Sequence, residues 1–389
     1  MSNDTFAANW NYPTSVKVGN GRIRELPDIC RLLGIKSPLI VTDPGLTDLP
    51  PLTVLLSICE AANLPITIFN RIKGNPTGEN IQDGVATYYA GQHDGVIAIG
   101  GGSALDAGKA IALMVGQNRP IWDFEDIGDN WKRVNTLGMA PVVAIPTTAG
   151  TGSEVGRASV ITDPVHQVKK IIFHPNMLPK VVILDPELTI GLSPSLTAAT
   201  GMDALSHNLE AYCSNYYHPM AKGIAIEGMR LIKENLAYAV SHGDDLQARM
   251  QMLVASSMGA TAFQCGLGAM HALAHPLGAI YDAHHGRLNA ILMPYVLSAN
   301  REAIENKIVH LATCLGIQNG FEGFLHWIIQ LRNDIGIEHC LLDIGIDAEQ
   351  RKRIAKMAIE DASASSNPIQ FSALQYEEIF DAAVHGKMK

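Results

Sequence analysis

Two stretches in the second half of the chain carry side chains that do chemistry. Asp203-Ala-Leu-Ser-His207 and His271-Ala-Leu-Ala-His275-Pro276, the latter followed by His284-His285-Gly286, supply a carboxylate and several imidazoles. Asp203 and His207 stand four apart in an Ala/Leu-rich run, so a helix puts both on one face; His271 and His275 bear the same relation. Imidazole and carboxylate without thiolate suit Fe(II), Zn(II), Ni(II) or Mn(II). Any one of the 14 histidines is more often an ordinary side chain than a ligand. Two such clusters in Gly/Ala-rich apolar surroundings are different, because buried imidazoles and carboxylates are costly unless paired or coordinated. The pattern predicts a divalent-metal centre with an open coordination position. Spacing alone does not choose between His271 and His275, and the neighbours His284 and His285 cannot both face one ion.

A second set of residues lies upstream. Gly95-Val-Ile-Ala-Ile-Gly100 reads as a buried strand running into Gly101-Gly102-Ser103, with helical composition over 104–113. A strand, a glycine turn and a helix N-terminus form an anion site, because free N–H groups and the helix dipole converge there. Ser103 is read as the N-cap and Asp106 as its capping-box partner. The turn is neither GxGxxG nor a Walker P-loop. Another strand, Pro141-Val-Val-Ala-Ile-Pro146, leads into Thr147-Thr148-Ala149-Gly150-Thr151-Gly152-Ser153-Glu154, small residues that let a dinucleotide approach. Pro38-Leu-Ile-Val-Thr42 ends in Asp43, an acid placed to accept from ribose hydroxyls and to repel a 2′-phosphate, which favours NAD over NADP. The alternative for Asp43 is a turn former ahead of Pro44-Gly45.

These residues need a scaffold, and the patterning supplies two. Strands are predicted at 38–43, 65–70, 95–99, 141–145 and 181–184, with helices at 79–90 and 103–113, giving a parallel α/β domain over residues 1–190. After Ser193-Pro194-Ser195, long Ala/Leu/Met-rich periodic segments such as 220–239 and 246–263 predict an all-α domain over 191–389. A length of 389 residues accommodates both. With 47% hydrophobic and 17% charged residues the chain has the composition of a globular enzyme. A formal charge of −9 argues against a nucleic-acid partner. No run approaches the roughly 20 apolar residues of a membrane helix, and the polar start lacks a signal-peptide core. Six cysteines at scattered positions without C-x-x-C spacing fit a reduced, cytoplasmic enzyme. Lys109 is expected on a solvated helix face, the Tyr216-Tyr217-His218 run and Trp122, Trp131 and Trp327 in packing or interfaces, and Phe263 with its neighbours along a substrate pocket.

Taken in order, Gly100-Gly-Gly-Ser103 with Asp106, Pro146 to Glu154, Asp185-Pro-Glu-Leu-Thr189, Gly201-Met-Asp203-Ala-Leu-Ser-His207 and the block from His271 to Gly286 resemble the iron-containing (group III) alcohol dehydrogenases. The resemblance begins at Asn11-Tyr-Pro-Thr14 and weakens after about residue 300. It implies an NAD-dependent alcohol/aldehyde oxidoreductase using Fe(II), or Zn(II), as a Lewis acid on the substrate oxygen. The implied fold is an α/β dinucleotide-binding domain followed by a helical metal-carrying domain, the dehydroquinate synthase-like architecture. Carried over by residue, the ligands are Asp203, His207, His271 and His285. His275 becomes the catalytic residue beside nicotinamide and substrate, with Pro276 expected to turn it away from helical geometry, and His284 a pocket or outer residue. Gly101, Gly102 and Ser103 become the pyrophosphate loop, Thr147, Thr148 and Thr151 flank the cofactor, Asp43 and Asn75 lie near the adenosine, and Lys169 near the ribose. A homodimer is implied, with the strand near 12–18 pairing across subunits. Two alternatives stand: a 4-hydroxybutyrate-type dehydrogenase, with Arg157 facing the acid, and a dehydroquinate synthase-like lyase, whose substrate would want more cations than Arg287 near the histidines.

Overall fold

A computed structural model describes residues 8–10, 14–166 and 168–388. The chain divides into two compact units, one formed by 1–148 and 152–191, the other by 149–151 and 192–389.

The first unit is a seven-stranded sheet with helices and a separate hairpin. Its elements are β1 (Ala8–Trp10), β2 (Ser15–Val18), α1 (Leu26–Leu33), β3 (Pro38–Val41), α2 (Pro50–Ala61), β4 (Thr67–Phe69), α3 (Gly78–Ala90), β5 (Gly95–Gly100), α4 (Gly102–Met114), β6 (Val142–Pro146), β7 (Ala158–Asp163), β8 (Val168–Phe173) and β9 (Val181–Leu184). β3, β5, β6 and β9 are buried at every residue. Such continuous apolar runs suit parallel strands covered on both faces. The order is β1-β2-β9-β6-β5-β3-β4, parallel except for the β1–β2 pair. After β3 the chain steps outward to β4, then returns to β3's other side as β5. The β3/β5 crevice is therefore the topological switch point, where doubly wound sheets take ligands at their carboxyl ends. Both edges of β2 are used within the chain; residues 12–13, the start of the stretch expected to pair across subunits, lie outside the described residues. The β7–β8 hairpin was not among the predicted strands. It stands apart from the main sheet, and β8 is only half-buried along most of its length, so it lacks the apolar run that marks the central strands.

The second unit is helical: α5 (Pro194–Cys213), α6 (Pro219–Ser241), α7 (Leu246–Ala262), α8 (Ala269–Tyr281), α9 (His285–Cys314), α10 (Gly320–Asp334), α11 (Arg351–Glu360) and α12 (Ala373–His385). α5 starts on Ser193, whose Oγ accepts from the Leu196 N–H, with Pro194 in the first turn. From Thr197 to Cys213 it is buried all round, as the central helix of such a unit must be, and it packs against α6, α7 and α9. α10 and α12 pack on α9, and α11 on α8, so the C-terminal region braces the histidine-bearing helices. Among the described residues no helix is long and apolar enough to cross a membrane.

All six cysteines are free thiols. Burial pushes Cys30 up to about 12, Cys59 to about 11 and Cys213 to about 12, and Cys265 is buried and raised as well. These stay protonated and unreactive at neutral pH, since the thiolate is the nucleophile. A thiol reagent is expected to label Cys314 first and Cys340 second in the native protein, with the other four reacting only on unfolding. Labelling of Cys30 or Cys213 without unfolding would contradict this packing.

Candidate functional site

Helix α5 carries the first half of the metal-type cluster. Asp203 and His207 stand one turn apart on it, both buried, with His207 Nε2 3.9 Å from Asp203 Oδ1. α8 adds His271, only 1% exposed, and the ligand-type atoms of Asp203, His207 and His271 lie within 4.8 Å of one another. The His207 and His271 rings stack at 4.8 Å. His285, first residue of α9, places Nε2 3.6 Å from Asp203 Oδ1. α9 reaches α5 this closely because residue 286 is glycine: a Cβ there would lie 2.2 Å from the Ala199 carbonyl oxygen.

The orientation of the imidazoles is fixed from behind. His271 Nδ1 meets the Glu210 carboxylate at 2.6 Å, and His207 Nδ1 meets the Gly150 carbonyl at 3.3 Å. With each Nδ1 proton donated to an oxygen, each Nε2 keeps its lone pair, the arrangement of a metal-binding histidine held by a carboxylate or carbonyl. Burial, reinforced by His207, holds His271 well below the ordinary histidine range, so it is neutral. Burial also pushes the Glu210 carboxyl up to about 7 against the pull of its hydrogen bonds. Among the described residues no Lys or Arg forms an ion pair with Asp203 or Glu210, so two buried carboxylates face only imidazoles and N–H groups. Three nitrogen donors and one oxygen donor, with no paired Lys or Arg, fit a borderline divalent cation.

Three functional-looking residues escaped the sequence analysis. Glu210 continues the Asp203/His207 face of α5, and it also accepts the Gly268 and Met270 N–H groups at the start of α8, each at 2.8 Å. A carboxylate there satisfies otherwise orphaned donors and favours the helix dipole. Asn289, one turn after His285 on α9, donates from Nδ2 to Asp203 Oδ1 at 2.9 Å, and this nitrogen lies 3.2 Å from Nε2 of both His271 and His285. Its Oδ1 is buried without a hydrogen-bond partner. Asp361 binds His275 Nδ1 at 2.8 Å. The i,i+3 and i,i+4 spacings could have flagged Glu210 and Asn289; nothing in the sequence ties residue 361 to residue 275.

One expectation about the histidines is corrected. Pro276 does not turn His275 out of the helix: α8 runs unbroken through it, because the lost N–H leaves the rest of the helix ladder and its packing intact. His275 instead sits at the cluster's rim, its ring 5.9 Å from His271 and near-parallel to His285 at 5.4 Å. His284 takes the exposed N-cap position of α9. Phe263 packs its ring edge-on to His207 at 5.2 Å.

In the first unit, Asp43, Gly101, Thr147 and Thr148 lie just beyond the carboxyl ends of β3, β5 and β6. Gly100 ends β5 with φ +143°, a conformation for glycine, and a Cβ there would meet Ala104 Cβ at 2.8 Å and Asp43 Oδ2 at 3.1 Å. The Asp43 carboxylate thus lies against the glycine turn without capping, while its backbone heads the 3-10 turn Pro44–Leu46, the carbonyl accepting from the Leu46 N–H at 3.2 Å, so the residue forms that turn as well. The Thr147 N–H donates to the Gly100 carbonyl at 3.0 Å, and Thr148 lies beside Gly101. Ser103 is not the N-cap. Gly101 takes that position with extended backbone, placing Ser103 inside the first turn, where its hydroxyl donates to the Gly74 carbonyl and ties down the Asn75 loop. Lys169 pairs with Thr162 across the hairpin, and the Thr162 N–H donates to the Pro76 carbonyl at 2.7 Å, bringing that hairpin to the same loop. Thr151 falls in the helical unit, in the segment whose Gly150 carbonyl meets His207.

Asp106 and Lys109 take no capping or solvent role. Asp106 accepts from Ser153 Oγ and from the Val160 N–H at 3.0 Å, and Lys109, 1% exposed, pairs with Asp106 at 3.2 Å and donates to the Ala158 carbonyl. The pair stitches α4 to the 153–160 segment, which is why a lysine is buried here. Arg157 is exposed with its guanidinium over the Phe173 ring, and Arg287 is ion-paired with Glu338.

Comparison with known proteins is consistent along nearly all of the chain. The iron-containing alcohol dehydrogenase model matches residues 13–186, and the model for the C-terminal part of the Fe-containing alcohol dehydrogenase family matches 197–384. A 1,3-propanediol dehydrogenase from Citrobacter freundii is 36% identical over 375 residues, spanning 94% of this chain and 96% of the relative. A 4-hydroxybutyrate dehydrogenase from Cupriavidus necator is 33% identical over 392 residues, spanning 96% and 99%. The crystal structure of a sulfoacetaldehyde reductase from Bifidobacterium kashiwanohense in complex with NAD+ superposes with a TM-score of 0.87 at 27% identity, covering 98% of this chain and 99% of that one.

Proposed function

From the premise that this chain belongs to the iron-containing alcohol dehydrogenase family, as an NAD-dependent oxidoreductase, we propose that it interconverts a primary alcohol and its aldehyde, with Asp203, His207, His271 and His285 holding one divalent ion, Fe(II) or else Zn(II). The observation that carries this reading is the buried set of imidazole Nε2 atoms turned toward Asp203, their Nδ1 positions already committed to Glu210 and Gly150. When bound, the ion supplies Lewis-acid polarisation of the substrate oxygen and the nicotinamide supplies the hydride acceptor or donor.

The chain's own residues do the rest. Gly101, Gly102 and Ser103 present the N-terminal N–H groups of α4 to the pyrophosphate. Asp43 accepts from the adenosine ribose and repels a 2′-phosphate; Asn75, Thr147, Thr148, Thr151 and Lys169 line the remainder of the cofactor. Phe263, packed on His207, walls the substrate side. His275 holds the substrate oxygen from the rim of the cluster. An uncharged alcohol or diol fits better than a hydroxy acid or a phosphate-bearing lyase substrate, because Arg287 is already neutralised by Glu338 and Arg157 is stacked on Phe173. A homodimer and a cytoplasmic location belong to the same reading; sedimentation velocity reads the first directly.

The test is NADH oxidation by metal-free protein, prepared anaerobically, with Fe(II) or Zn(II) restored, against short aldehydes with and without a carboxylate. Metal-dependent turnover with NADH preferred to NADPH is expected, uncharged aldehydes leading. Tight binding of NADH and metal with no turnover of any carbonyl would refute the proposal.

A further inference from the structure

Two imidazoles in the cluster have Nδ1 tied to a carboxylate. Glu210 holds His271, which the ligand assignment explains; Asp361 holds His275, a residue outside that set. Asp361 stands at the N-terminus of the short 3-10 turn Ala362–Ser366. Its Oδ1 accepts the Ser363 N–H at 2.8 Å, and its Oδ2 faces His275 Nδ1, also at 2.8 Å. Burial works to raise this carboxyl, but His275 and the Ser363 bonds outweigh it and hold it below the usual range. A carboxylate oxygen accepts hydrogen bonds, so the Nδ1 facing it carries a proton, and in the neutral imidazole Nε2 then carries the lone pair. The turn itself is held in place independently, through Asn367, which exchanges hydrogen bonds with Asn300 and accepts from the Ala269 N–H at the start of α8. Donor and acceptor are thus fixed on separate elements.

We propose that Asp361 is the positioning residue of the reaction: it locks His275 as the Nδ1–H tautomer and fixes its ring, so that Nε2 is offered to the substrate hydroxyl as a hydrogen-bond acceptor. This rests on the alcohol dehydrogenase reading given above. Asn at 361 is the discriminating variant. It is nearly isosteric and caps the turn as well as Asp does, but its amide NH₂ can donate to Nδ1 and drive the opposite tautomer, leaving Nε2 protonated.

The experiment compares the unmodified holoenzyme with D361N, H275A and the double variant. D361N is expected to lower kcat for alcohol oxidation about 10- to 100-fold and by no more than H275A does, the scale of a misplaced acid–base or orienting group, while metal content and NADH affinity hold and KM for the alcohol moves less than about threefold. In the H275A background D361N should cost nothing further, and D361E, which keeps the carboxylate, should recover part of the loss. Nitrogen-15 NMR of the zinc-loaded protein, with H275A for assignment, should show His275 protonated at Nδ1 in the unmodified protein and at Nε2 in D361N. Equal loss from D361N with and without His275 would overturn the proposal, since Asp361 would then act only on the fold. So would an Nε2–H tautomer in the unmodified protein. A protein that turns over no aldehyde at all would refute the function proposed above; the tautomer would still decide this proposal.

Discussion

Replacing His271 with alanine is expected to strip the protein of its metal and reduce aldehyde turnover by about a thousandfold or more, the ~4 kcal/mol scale of lost Lewis-acid stabilisation. His271 is the most enclosed imidazole of the cluster, neutral by burial, with Nδ1 committed to Glu210 and Nε2 toward the other donors. No other imidazole takes its place, because His275 stands at the rim of the cluster, its ring centre 5.9 Å from that of His271. The companion variant His275→Ala should keep the metal at one ion per chain while turnover falls about 10- to 100-fold. Metal analysis of the two purified variants reads this directly. If His275→Ala lost the ion and His271→Ala kept it, the ligand assignment would be reversed.

Glu210→Ala should be the most damaging single change to stability in the helical unit. It leaves the Gly268 and Met270 N–H groups buried without acceptors and frees His271 Nδ1. Two orphaned donors at about 1–3 kcal/mol each give an expected loss of about 3 kcal/mol or more, and the loss of the carboxylate behind the histidine should weaken metal binding about 10- to 100-fold. Glu210→Gln should recover only part of the stability, because its amide oxygen can accept on one side while its NH₂ faces the other N–H donor, and less of the metal affinity. Chemical denaturation with and without metal separates the two effects. Unchanged metal affinity in Glu210→Ala would show that the histidine needs no support from behind.

The chain's local chemistry was legible wherever the partners are close in sequence. Asp203 with His207 and His271 with His275 announce themselves at i,i+4, and Gly95–Gly100 followed by a glycine turn announces a strand and a phosphate-type helix start. The same local reading misplaced Ser103, because a serine after glycines looks like a cap until Gly100 turns at φ +143° and hands the position to Gly101. It misplaced Lys109 too, because a lysine on a helix looks solvated until the 153–160 segment folds across it.

By itself, then, the sequence determined the two-part architecture, an Asp/His pair and a histidine block with metal-ligand chemistry, and a glycine turn that opens a helix, all of which rest on periodicity and short spacing, while the family resemblance chose among the histidines. Tertiary structure alone decided which nitrogen of each histidine faces the site. Glu210 and His271 are 61 residues apart, Asp361 and His275 are 86, and Asn289 and Asp203 are also 86. A tautomer is set by whatever oxygen reaches Nδ1, and that oxygen arrives on another element once the helices have packed.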